Sequence, residues 1–176
     1  MQEYLDLLDE HGNLTGKKKS RFSVHQDGDW HRAIAIFVLN NQNEILFQKR
    51  SASKDSLAGM WASSIFGHVE TNQTSIEIAH RELKEEIGII HNAFKELGTV
   101  RETKVPHAGY IDNVFVDVYL VKINFEIKDF IIQEEELSKL KWVPYNELKI
   151  MLQNHDVNLV DYSKVHDLLI KELGKN

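Results

Sequence analysis

The chain of 176 residues contains no cysteine. Disulfides, cysteine-ligated zinc and a cysteine nucleophile are therefore excluded together, and the fold must stand on its hydrophobic core. Proline is nearly missing as well: only Pro106 and Pro144 occur, too few to mark a proline-rich linker or arm. No uncharged stretch approaches the length of about 18 residues that a membrane-spanning helix requires. The acidic start MQEYLDLLDEHG lacks the basic-then-apolar order of a signal peptide. A soluble, cytoplasmic protein is the expectation. Positive charge is not in excess either, since 27 acidic residues against 21 lysines and arginines give a net charge of −6. That balance argues against a nucleic-acid polymer or a membrane surface as partner, and leaves room for a local basic pocket.

What is present suits one domain over residues 1–176, with 42% hydrophobic content and no internal repeat. YLDLLDEHGNLTG places two apolar stretches around a turn-rich centre, which predicts a β-hairpin within an N-terminal extension, residues 1–28. A basic run, Lys17, Lys18, Lys19 and Arg21, follows it. HRAIAIFVLN (31–40) and NEILFQKR (43–50) read as strands, the first apolar on both faces like a central one. Further strands are expected in MWASSIFG, at 97–103, in the alternating VFVDVYLVKI, and at 139–143. Helices are predicted over 75–87, from Pro144 to about Leu152, and from about Tyr162 to Leu173. Strands and helices mix without strict alternation, which indicates a mixed sheet with helices packed on it.

The stretch GHVETNQTSIEIAHRELKEEIGI, residues 67–89, carries the chemistry. Thr74 and Glu77 form a capping box and Gly88 a stop, so Glu82, Glu85 and Glu86 fall in the last turns of the helix. Acids there oppose the helix dipole by roughly 0.3–1 kcal/mol each. Glu82 and Glu86 also repel as an i,i+4 pair. With Ile76, Ala79, Leu83 and Ile87 as the buried stripe, the three acids share a second stripe beside it. Converging oxygens suit a hard cation such as Mg²⁺, which binds a few carboxylates together with substrate phosphates. A solvated face softened by Arg81 and Lys84 is the plain alternative.

The longer pattern discriminates between the two. Gly67, Arg81, Glu82, Leu83, Glu85, Glu86, Gly88 and Ile89 closely resemble, in register, the motif of the Nudix hydrolases. The resemblance implies an α/β/α sandwich around a mixed sheet, with residues 67–89 as the metal site. It implies Mg²⁺ or Mn²⁺ held by Glu82, Glu85, Glu86 and the Gly67 carbonyl, and water attack on a small organic diphosphate, commonly a nucleoside derivative. Glu86, or one of Glu134, Glu135 and Glu136, would take the water's proton. One position departs: Gln73 stands where the family has its first glutamate. Its amide could still bond Arg81 or a metal-bound water, and a ligand-binding domain without catalysis is the alternative that this departure opens. Homodimers are common in such families.

Residues 24–70 also resemble the isopentenyl-diphosphate isomerase branch of the superfamily, which has an HR strand, a QKRS-x-x-K segment and a Gly-His after the next strand. That branch uses a cysteine before the Gly-His, a glutamate on a later strand, and a histidine-rich metal site. Here the cysteine position is Phe66, and Asp112 and Asn113 stand near the glutamate's place. Phe66 cannot transfer a proton, so the expectation is an isomerase-like hydrolase. His25, His31 and His68 read as ordinary surface or hydrogen-bonded histidines, or else as a remnant of the second metal site. Lys49, Arg50 and Lys54 are candidates to meet substrate phosphates, with His68 beside them. Trp61 and Phe66 are expected in the core, and His107 and Tyr110 in a loop near the pocket.

Overall fold

The structure is a computed structural model that describes residues 2–54 and 56–175. Its organising element is the strand β3, Trp30–Leu39, which the sequence makes apolar at nearly every position. Successive side chains of a strand point to opposite faces. Ile34, Ile36 and Val38 therefore enter one buried cluster, and Ala33, Ala35, Phe37 and Leu39 enter another.

The first cluster is closed by a helix carrying Ile78, Ala79, Leu83 and Ile87. The second is closed by Leu148 on one helix and by Val165 and Leu169 on another. The result is the α/β/α arrangement expected, with β3 in the middle layer.

Four elements precede or flank β3: β1 (Tyr4–Leu8) and β2 (Leu14–Ser20) form the expected hairpin, α1 (Arg21–Asp27) follows, and β4 (Glu44–Arg50) comes after β3. The stretch 60–67 holds two short strands rather than one, β5 (Trp61–Ala62) and β6 (Ile65–His68). The acidic helix is α2, Ser75–Ile87. Two long strands, β7 (Lys95–His107) and β8 (Tyr110–Lys122), make a hairpin, and β9 (Leu137–Pro144), α3 (Tyr145–Gln153) and α4 (Ser163–Leu173) complete the chain. β8 runs parallel to β3 from Trp30↔Asn113 to Leu39↔Lys122, while β6 runs antiparallel to it from Ala33↔His68 to Ile36↔Ile65. β4 touches β3 at Leu39↔Ile45 and then pairs with β9 and β5. The sheet is thus mixed, and it splays open beyond β6.

The helix α1 has no counterpart in the sequence reading. Ser20 accepts a hydrogen bond from the Ser23 amide at its start, and Gly28 ends it with φ of 69°. The helix α2 does carry the expected ends: Thr74 and Glu77 cap each other, and Gly88 stops it at φ of 74°. Its buried arc, however, differs from the expected stripe. Ile76 is exposed, Ile78 is buried, and Glu86 comes inside. At Glu86 the reason is a second packing surface: the Ile131 amide bonds the Ile87 carbonyl and the Gln133 amide bonds that of Glu86. This segment covers the C-terminal end of α2 beside Glu86, while Ile78 packs in the cluster under β3.

Candidate functional site

A cleft of about 490 Å³ lies where the sheet splays, beside the edge of β6 that is not paired with β3. α2 lays Glu82 directly over Gly67: a Cβ added to Gly67 would stand 2.7 Å from the Glu82 Cγ and 2.9 Å from its Cδ. Only a glycine leaves room for that carboxylate. Arg81 fastens the group from behind, at 2.7 Å from Glu70, 3.2 Å from Glu82 and 3.8 Å from Glu85. It also donates to the Gln73 amide oxygen at 3.2 Å, so glutamine at the departing position keeps the contact to Arg81.

Glu86 is 4% exposed, with the Gln48 amide 3.4 Å away. Burial, aided by the neighbouring Glu82 and Glu136, holds its proton affinity well above the ordinary carboxylate range. Burial likewise raises Glu82, against the pull of Arg81. Glu82 adds to the rise of buried Glu86, and Glu85, exposed at the cleft, adds to that of Glu82, so a divalent cation here would relieve a repulsion, and the donor set is all oxygen, as Mg²⁺ prefers.

Of the acidic run ahead of β9, Glu136 lines the cleft and pairs with Lys54, while Glu134 and Glu135 are exposed. Arg50 also lines the cleft, its Nη2 donating to the Ser56 carbonyl at 3.0 Å. Lys49 does not. It sits on the opposite face of β4 from Gln48 and Arg50, as the two-residue period of a strand requires.

The histidines give a clear correction. His25, His31 and His68 are not separate surface groups: with Asp112 they bring their ligand atoms within 4.8 Å of one another. His25, His31 and Asp112 are buried, at 3%, 0% and 4% exposure. The His31 Nδ1 lies 3.1 Å from the Asp29 carbonyl, a contact it makes by donating, which turns Nε2 toward Asp112. That Nε2, the His68 Nε2 and the Asp112 Oδ1 are all buried without a hydrogen-bond partner among the described residues.

Burial, with Arg21 nearby, pushes the His68 proton affinity well below that of a free imidazole. Burial opposes ionisation of Asp112, yet the imidazoles of His25 and His31 outweigh it and keep the carboxyl below its ordinary range. Three imidazoles and a carboxylate gathered around one point, in a buried place, are a donor set that fits a transition metal. Asp112 was not among the candidate ligands read from the sequence; its place beside the isomerase glutamate was the available signal.

Between the two clusters the cleft wall is aromatic. Phe66 stacks on Tyr162 with ring centroids 4.9 Å apart, and both line the cleft. Phe66 is thus at the cleft surface as well as against the second core cluster, while Trp61 packs on that cluster as expected. Tyr110, at the tip of the β7–β8 hairpin, lines the cleft and stacks on His25 at 4.3 Å; His107 faces the neighbouring cavity.

With this geometry in hand, comparison with known proteins assigns the class. The NUDIX domain family matches residues 29–163, and the chain belongs to it. Members of this hydrolase family typically cleave pyrophosphate bonds, usually with a divalent metal, which implies a small diphosphate substrate.

Among individual relatives, Nudix hydrolase 3 of Arabidopsis thaliana is 37% identical over 96% of this chain, which spans 23% of that longer protein. An isopentenyl-diphosphate Delta-isomerase 2 of Photorhabdus laumondii is 33% identical over 94% of this chain and 91% of its own length. The crystal structure of DR0079 from Deinococcus radiodurans superposes with a TM-score of 0.70, at 21% identity, over 86% of this chain and 90% of its own. Among the described residues, no helix is long and apolar enough to cross a membrane.

Proposed function

We propose that the protein hydrolyses the diphosphate bond of a small organic diphosphate, with Mg²⁺ or Mn²⁺ held by Glu82, Glu85, Glu86 and the Gly67 carbonyl. The observation that carries this reading is Glu82 seated on Gly67 and fastened by Arg81, with Glu86 buried alongside. When bound, the ion supplies Lewis-acid neutralisation of the diphosphate and a more acidic water. The chain's own groups do the rest. Arg81 pairs with both Glu82 and Glu85 and would hold them toward the ion. Arg50 and Lys54 meet phosphate oxygens from the opposite wall, Lys54 exchanging its pairing with Glu136 for the substrate. Glu86 takes the proton of the attacking water, and Glu136 is the second candidate for that role.

The histidine cluster and the isomerase relative favour a second reading, in which the protein shifts a double bond of an allylic diphosphate. Against it stands Phe66, which has no exchangeable proton where that branch uses a cysteine. A screen of nucleoside di- and triphosphates, dinucleoside polyphosphates, nucleotide sugars, ADP-ribose and prenyl diphosphates with Mg²⁺ and Mn²⁺ tests both readings. Release of a phosphate or monophosphate product supports the first. An isomerised prenyl diphosphate would replace it with the second, and tight binding of one substrate without turnover would replace both with a binding domain.

A further inference from the structure

A metal centre built on one carboxylate depends on how that carboxylate is turned. Asp112 offers its two oxygens unequally. Its Oδ2 accepts a hydrogen bond from the Tyr162 hydroxyl at 3.3 Å. Its Oδ1 has no hydrogen-bond partner among the described residues and stands 3.4 Å from His31 Nε2 and 3.5 Å from His25 Nε2. At those distances and angles the imidazoles are neighbours of Oδ1 without satisfying it. A carboxylate with both oxygens free can rotate or close on an ion with two teeth; one tied at Oδ2 presents Oδ1 alone.

The tyrosine is itself restrained. Its ring lies on Phe66 at an interplanar angle of 15°, Lys104 Nζ sits 5.4 Å over the ring, and its carbonyl accepts from the His166 amide at 3.0 Å. Ring, flank and backbone thus fix where the hydroxyl points.

We propose that Tyr162 is a positioning residue for the centre formed by His25, His31, His68 and Asp112, tying Oδ2 so that a bound metal receives a single oxygen from Asp112. The proposal rests on reading that cluster as a metal centre. It also accounts for Phe66, since the side chain that replaces a proton donor is the platform on which the positioning residue lies. Groups one step outside a metal commonly set its affinity by roughly ten- to a hundredfold.

The test uses the full chain, stripped with chelator and held in excess Mg²⁺ to fill the carboxylate site, then titrated with Co²⁺ while its visible d–d bands are recorded. Tyr162→Phe keeps the ring on Phe66 and removes only the hydroxyl. It is expected to weaken Co²⁺ binding roughly ten- to a hundredfold. The bands should also lose intensity as Asp112 closes with two oxygens and the coordination number rises, with the melting temperature of the metal-free protein unchanged. Phe66→Leu, which removes the platform but not the hydroxyl, should give a smaller loss in the same direction, and Asp112→Asn should abolish the bands. Wild-type affinity and spectrum in Tyr162→Phe would overturn the positioning role, as would an affinity loss matched by a lower melting temperature of the metal-free variant. A wild-type chain that shows no Co²⁺ bands at all would instead remove the metal-centre reading, and the proposal with it.

Discussion

The two clusters that meet in the cleft are built in opposite ways. The carboxylate cluster comes from one continuous stretch, 67–89, in which a turn, a capped helix and a glycine stop deliver Glu82, Glu85 and Glu86 together. The histidine cluster takes one residue each from α1, β3, β6 and β8, across 88 positions from His25 to Asp112. The first is local geometry and carries its own pattern. The second exists only when the sheet has its register, because β3 must lie parallel to β8 and antiparallel to β6 before His31, His68 and Asp112 can face one point. Chemistry on a helix can be read early; chemistry on a sheet edge waits for the fold.

The sharpest way to separate the clusters is Glu85→Gln. Turnover of a substrate identified in the screen should fall by about 10²–10³-fold, the scale of losing one electrostatic contact to the transition state. Co²⁺ bands at the histidine cluster should be unchanged. Turnover at wild-type rate would remove Glu85 from the metal site, and lost bands would mean the clusters are not independent.

Gly67→Ala strikes the border between them. The new methyl meets Glu82 at 2.7 Å, so the carboxylate must move, with an expected loss of about 10²-fold in turnover for a displacement near 1 Å. A steady-state assay and a thermal melt read both effects; an alanine tolerated in both would mean that Glu82 does not need its seat.

Glu86→Gln tests charge rather than space. Glu86 binds a proton more tightly in the folded chain than in the unfolded one. Its contribution to stability is therefore full below the ordinary carboxylate range and is lost as pH rises through the raised value. As pH rises above the ordinary carboxylate range the metal-free wild type should lose stability relative to Glu86→Gln, at about 2–4 °C in melting temperature for each kcal/mol. Mg²⁺ should restore the wild type and not the variant. Parallel curves with and without metal would show that this carboxylate carries no such penalty.

The smallest effect belongs to Gln73→Glu, which restores the family's acid beside Arg81. Arg81 is partly exposed, and such a pair gains about 0.2–1 kcal/mol, so the assay should show a rate change within about fivefold. A change of orders of magnitude would make position 73 a principal ligand.

Much of this was legible in residues alone, for identifiable reasons. The capping box of Thr74 and Glu77, the stop at Gly88, and the two-faced apolar run of β3 are patterns set by backbone geometry, and the structure carries all three. Lys49 could have been excluded as well, since alternation along β4 puts it opposite Arg50. α1 was hidden because a seven-residue helix makes too few turns for a periodic signal, and the lysines before it read as a charged run. The exposure of Ile76 and burial of Ile78 were out of reach for another reason. They depend on how the start of α2 seats against the sheet, as the burial of Glu86 depends on the 131–133 segment, and no property of the helix announces either. Glu136 and Asp112 likewise owe their places to partners far along the chain.

β6 is four residues long, and the pleat turns its consecutive residues to opposite sides: Gly67 lies under α2, while Phe66 and His68 face the other way. A slip of one residue against β3 would put a side chain beneath Glu82 and withdraw an imidazole from Asp112 in the same step. Both centres would fail together. Insertions or deletions between Trp61 and Gly67 should therefore be among the least forgiven in the chain, even though that segment is short, irregular and at the edge of the sheet, where a change of length would ordinarily be absorbed.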